Sequence, residues 1–91
     1  MENPISALIA DKGWCVADGA TGSNFFGRGL EAGYPPELWC LEKPEDVLWL
    51  HGEFLSAGSD LILTNSFGGN ALRLKLHQAE NRVRELNIAA A

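Results

Sequence analysis

Trp14-Cys15-Val16-Ala17-Asp18-Gly19-Ala20-Thr21-Gly22 is the stretch on which the reading of the fold turns. Its first four residues are continuously apolar and end at Asp-Gly, the pattern of a short strand covered on both faces in a parallel sheet. A second run of the same kind, Leu61-Ile62-Leu63-Thr64, ends at Asn65-Ser66-Phe67-Gly68-Gly69-Asn70. Between the two lies a clear amphipathic helix. Pro44 suits its first turn, Glu45 and Asp46 complement the helix dipole, and Gly58 stops it. Its apolar stripe is Val47, Leu50, His51, Phe54 and Leu55.

Outward from this core, Ile5, Leu8 and Ile9 share one face of a helix expected from Ile5 to Asp11, closed by Gly13. The glycine-rich segment from Gly19 to Lys43, with Pro35-Pro36, reads as a long loop carrying at most a short helix around Asn24 to Arg28. Loops of that length in a compact domain tend to be functional. Leu72, Leu74 and Leu76 precede a last helix expected from about Ala79 to Ala91, with Val83, Leu86 and Ala90 inward. Alternating strand and helix signals predict an α/β protein of parallel βαβ units with right-handed crossovers. Two such strands cannot finish a sheet, so the expected unit is larger than this chain or self-associates.

Composition excludes several classes. The 91 residues are 46% hydrophobic and 21% charged, as in a folded globular chain. A net charge of −5 repels nucleic-acid phosphates and anionic lipid, so no nucleic-acid or membrane partner is expected. The N-terminus is acidic where an export signal would be basic, and no apolar run approaches the roughly 20 residues of a membrane span, which predicts a soluble, cytoplasmic protein. Cys15 and Cys40 form no Cys-x-x-Cys pair and read as structural thiols of a reducing compartment. His51 reads as a packed, satisfied histidine and His77 as solvent-facing. Trp14, Trp39, Trp49, Phe25 and Phe26 read as core and loop anchors.

Ligand-contacting groups of parallel α/β proteins gather at the C-terminal ends of strands. Asp18 and Gly19 stand at one such end, and Thr64, Asn65, Ser66 and Phe67 at another. Asp18 suits a substrate ammonium or a turn cap. Thr64, Asn65 and Ser66 offer donors and acceptors for an amino-acid carboxylate or amine, and Phe67 a pocket wall. The glycines match neither a Walker A loop nor a dinucleotide fingerprint. Val16-Ala17-Asp18-Gly19 resembles the strand-end motif of haloacid-dehalogenase-type phosphatases, but Val16 stands where the nucleophilic aspartate belongs.

Four ordered motifs resemble the start of homocysteine S-methyltransferases: Asp18-Gly19-Ala20-Thr21-Gly22-Ser23-Asn24, Pro36-Glu37-Leu38-Trp39, Ala57-Gly58-Ser59-Asp60, and Leu63-Thr64-Asn65-Ser66-Phe67-Gly68-Gly69. The likeness is greatest to bacterial betaine–homocysteine methyltransferase-like proteins and to the homocysteine-binding module of cobalamin-dependent methionine synthase. It implies that residues 1–91 are about two βα units of a (β/α)₈ TIM barrel of about 250 residues, a partial homocysteine-binding domain. It also implies zinc held by three cysteine thiolates, which lowers the thiol pKa of homocysteine for attack on a methyl donor, giving methionine. The donor would be of the betaine, S-methylmethionine or methyltetrahydrofolate type.

By motif position Asp18, Gly19, Thr64, Asn65, Ser66 and Phe67 become substrate-binding residues. The family's Cys and Gly-Gly-Cys-Cys motifs are absent, Cys15 and Cys40 do not match them, and no catalytic or metal-binding residue is assigned in this chain. The chain is thus expected to stop before its zinc ligands and to be inactive alone. The competing expectation is a non-catalytic α/β module that self-associates as a homo-oligomer or complements a partial barrel.

Overall fold

The computed structural model describes residues 3–91, leaving Met1 and Glu2 outside. Its elements are α1 (Pro4–Lys12), α2 (Gly22–Phe26), a 3₁₀ turn (Pro36–Leu38), α3 (Trp39–Glu42), α4 (Pro44–Ser56), α5 (Ala71–Lys75), a second 3₁₀ turn (Glu80–Arg82) and α6 (Val83–Ala90). Among the described residues there is no strand, which corrects the expected βαβ architecture and the two βα units of a TIM barrel.

The reason lies in where the backbone donors go. Segments 14–17 and 61–64 do lie side by side and run in the same direction, since Val16 faces Asp60 and Leu61 while Asp18 faces Leu63. Only one carbonyl serves both amides across this seam: Val16 O accepts from Asp60 N at 2.7 Å and Leu61 N at 3.1 Å. The amides that would continue a ladder are taken by side chains. Asp60 Oδ2 accepts from Val16 N at 3.0 Å, and Asp18 Oδ2 from Leu63 N at 3.1 Å. The faces are uncovered, with Trp14 62% and Leu63 71% exposed. A strand pair without neighbours or covering helices gains too little apolar burial to form a sheet.

The helices follow local chemistry. Asn3 caps α1 through Oδ1 to the amides of Ile5 and Ser6, and Gly13 closes it at φ 85°. Both ends fall one residue outside the predicted helix, and no residue of α1 is buried. Helix α4 ends in a Schellman closure, with Gly58 N bonding Leu55 O and Ser59 N bonding Phe54 O, which requires the left-handed conformation of Gly58. Gln78 performs the same closure after α5 at φ 58°, an unfavourable conformation for a residue with a Cβ. Helix α5 was not expected from the sequence; its signal is Asn70, whose Oδ1 accepts from Arg73 N at 3.0 Å.

Two apolar clusters hold the chain together. Phe25, Leu30, Trp39, Cys40, Val47 and Leu50 pack between α2, α3 and α4, and Leu38, Leu74, Ala79 and Leu86 between α3, α5 and α6. Tyr34 packs against both. Asp46 in the first turn of α4 binds Arg28 at 2.6 Å, and the Arg28 guanidinium lies 4.2 Å from the Trp49 ring centre. Of the expected aromatic anchors, Phe25 and Trp39 are buried, whereas Trp14 and Phe26 are mostly exposed. His77 is exposed as expected, but Nδ1 of His51 is buried without a partner among the described residues. The accessible surface, 6195 Å², exceeds the roughly 5,200 Å² expected for a compact chain of this mass, so the fold is open. Among the described residues no helix is long and apolar enough to cross a membrane.

Candidate functional site

Segment 64–68 is held in place by the turn that carries Pro36-Glu37-Leu38-Trp39. Asn65 is buried, and its Nδ2 donates to Pro36 O at 2.8 Å. Its own carbonyl accepts from Cys40 Sγ at 3.4 Å. Glu37 is also buried, and its Oε1 accepts from Gly68 N at 3.0 Å. A Cβ at position 68 would overlap Glu37 Oε1, so this approach requires glycine there. Three hydrogen bonds therefore template the loop, two from the short turn and one from Cys40 in α3.

The templated loop borders a concavity of about 320 Å³. Thr64, Asn65, Ser66 and Phe67 line it together with Thr21, Pro36, Glu37, Leu63 and Arg73. Thr64 Oγ1 and Ser66 Oγ are 2.6 Å apart, so the two hydroxyls form one hydrogen-bonding pair at its edge. Phe67 is 92% exposed and borders the hollow without enclosing it. The Asn65 amide is committed to Pro36, so its role here is to shape the loop.

Asp18 and Gly19 are not on this lining. Half-buried Asp18 reaches the site indirectly, by accepting the amide of Leu63. Gly19 lies against the Phe54 ring, where a Cβ would come within 3.3 Å. The structure thus places four of the six expected residues on one lining, ties Asp18 to it through Leu63, and leaves Gly19 against Phe54. It adds Glu37 and Arg73, which sequence reasoning did not select. The only signal for Glu37 was its place inside the Pro36–Trp39 motif.

A profile described as homocysteine S-methyltransferase matches residues 15–91. The chain belongs to the homocysteine S-methyltransferase family. Membership places it among methyltransferase-type enzymes connected with homocysteine.

A homocysteine S-methyltransferase that works through three zinc thiolates needs three cysteines, and this chain has two. Cys40 is buried with its thiol donating to Asn65 O, and burial, only partly offset by the Asn65 side-chain amide, pushes its pKa up, which favours the neutral thiol. Cys15 is half-buried. Among the described residues no three His, Cys, Asp or Glu side chains gather as a metal site. The residues present do not fit such a zinc. What the hollow offers is hydroxyl and charged groups for holding a small polar ligand.

Proposed function

We propose that this protein serves methyl transfer to the sulfur of homocysteine, giving methionine, and that the concavity beside residues 64–68 holds the amino-acid part of that substrate. The observation that carries the reading is the grouping of Thr64, Asn65, Ser66 and Phe67 around one hollow in a chain matched to this family over residues 15–91. Hydroxyls of Thr64 and Ser66 suit a carboxylate or an amine, and Asp18 steadies the rim through Leu63.

The chain's own residues bind and orient; they do not activate the sulfur. A metal bound to the sulfur strongly favours the thiolate at neutral pH, and among the described residues neither Cys15 nor Cys40 belongs to a cluster that could hold one. The 91-residue chain alone is therefore expected to form no methionine from homocysteine with betaine, S-methylmethionine or methyltetrahydrofolate, and to hold no stoichiometric zinc. Incubation of the purified chain with each donor, with methionine measured by mass spectrometry and zinc by plasma emission, tests this. Methionine above the uncatalysed rate would refute the inactivity, and failure of homocysteine to bind would refute the reading of the hollow.

A further inference from the structure

Glu37 is 7% exposed, yet only one of its carboxylate oxygens is used. Oε1 accepts from Gly68 N, whereas Oε2 is buried with no hydrogen-bond partner among the described residues. A buried carboxylate oxygen without a donor is costly, and folded chains rarely leave one unless water, an ion or a ligand supplies the missing donor. Two hollows, each of about 320 Å³, meet at this residue: the one beside residues 64–68, and one bordered by Tyr34, Gly68, Leu74 and His77. Glu37 and Arg73 line both.

Arg73 supplies the opposite charge. It is exposed and makes no ion pair among the described residues, although its Nε would lie 3.8 Å from a Cβ at Gly68, the same position that Glu37 Oε1 crowds. Carboxylate and guanidinium thus flank one glycine without pairing with each other. Left unpaired at the edge of one hollow, they match a ligand carrying both an ammonium and a carboxylate.

We infer that Glu37 and Arg73 are the charged clamp of this hollow, Glu37 Oε2 taking the ammonium of an α-amino acid and Arg73 its carboxylate. The inference rests on the reading of the hollow as an amino-acid site, and it makes Glu37 the residue that selects for a free amine. Because Oε2 is sealed in the unliganded fold, binding includes a side-chain movement at the shared wall.

The test is calorimetric titration of the 91-residue chain with L-homocysteine, 4-sulfanylbutanoate, which lacks the amine, and 3-aminopropane-1-thiol, which lacks the carboxylate. Wild-type chain is expected to bind homocysteine about tenfold or more tightly than either analogue. Glu37→Gln keeps an oxygen for the Gly68 amide, so it preserves the fold by circular dichroism while weakening homocysteine about tenfold and leaving 4-sulfanylbutanoate unchanged. Arg73→Gln weakens homocysteine and leaves the aminothiol unchanged. Homocysteine binding that is indifferent to loss of the amine and to both variants would overturn the clamp and leave the amino-acid reading standing. Absence of homocysteine binding to wild-type chain would overturn both. The analogue comparison on wild-type chain decides the matter even where a variant fails to fold.

Discussion

Gly68→Ala is the substitution whose effect follows most directly from the geometry. Gly68 has no positive φ to lose, so the whole consequence comes from its new methyl group meeting Glu37 Oε1. The contact is with a buried carboxylate that is also bonded to the Gly68 amide, so the oxygen cannot retreat without breaking that bond. A hydrogen bond to a charged acceptor contributes about 1.5–3 kcal/mol, and overpacking adds about 1–3 kcal/mol when neighbours must shift. A loss of about 2.5–6 kcal/mol follows, which for a chain of this size lowers Tm by roughly 10 °C or more. Urea unfolding followed by the fluorescence of the three tryptophans reports it. Glu37→Ala removes the obstacle, so the double variant should cost clearly less than the sum of the single ones. A Gly68→Ala chain within about 0.5 kcal/mol of wild type, or strict additivity in the cycle, would refute the reasoning, since surface substitutions alone give changes of that size.

Gln78→Gly should stabilise the chain by about 1 kcal/mol, because Gln78 closes α5 at φ 58°, where glycine carries no Cβ penalty; an unchanged or lower urea midpoint would count against it. Asp60 is held below the ordinary aspartate range, first by the Lys12 ammonium and then by the Val16 amide. Its contribution is therefore complete above the unfolded pKa of about 3.9 and lost as pH falls through the lower folded value, so Asp60→Asn should flatten the acid limb of a stability–pH curve. The single tyrosine, Tyr34, is pushed up to about 12 by burial and then by donating to Glu42. No tyrosinate absorbance at 295 nm should appear near pH 10.5 while the far-ultraviolet circular dichroism remains native.

The elements with local signals were legible in the sequence. Gly13 and Gly58 marked helix ends, Pro44 and its acidic neighbours opened α4, and Val47 and Leu50 were placed in the core. The failure of residues 14–17 and 61–64 to form strands was not, because a continuous apolar run such as Leu61-Ile62-Leu63 states a preference for burial and leaves the partner unspecified. Here Asp18 and Asp60 take the amides a ladder would use, and Trp14 and Leu63 remain exposed. The hydroxyl loop at 64–66 could be found because polar groups cluster after an apolar run. Glu37 could not, since a glutamate becomes a buried, half-satisfied acceptor only once tertiary packing brings Gly68 against it.

The central claim, that the hollow beside residues 64–68 holds the amino-acid part of homocysteine, is tested most directly by two-dimensional ¹H–¹⁵N spectra of the labelled chain titrated with L-homocysteine. Saturable shifts confined to the amides of Thr64 to Gly68, Glu37 and Arg73 are the expected result. No shift at millimolar ligand, or shifts centred on other residues such as those around Trp49, would contradict it.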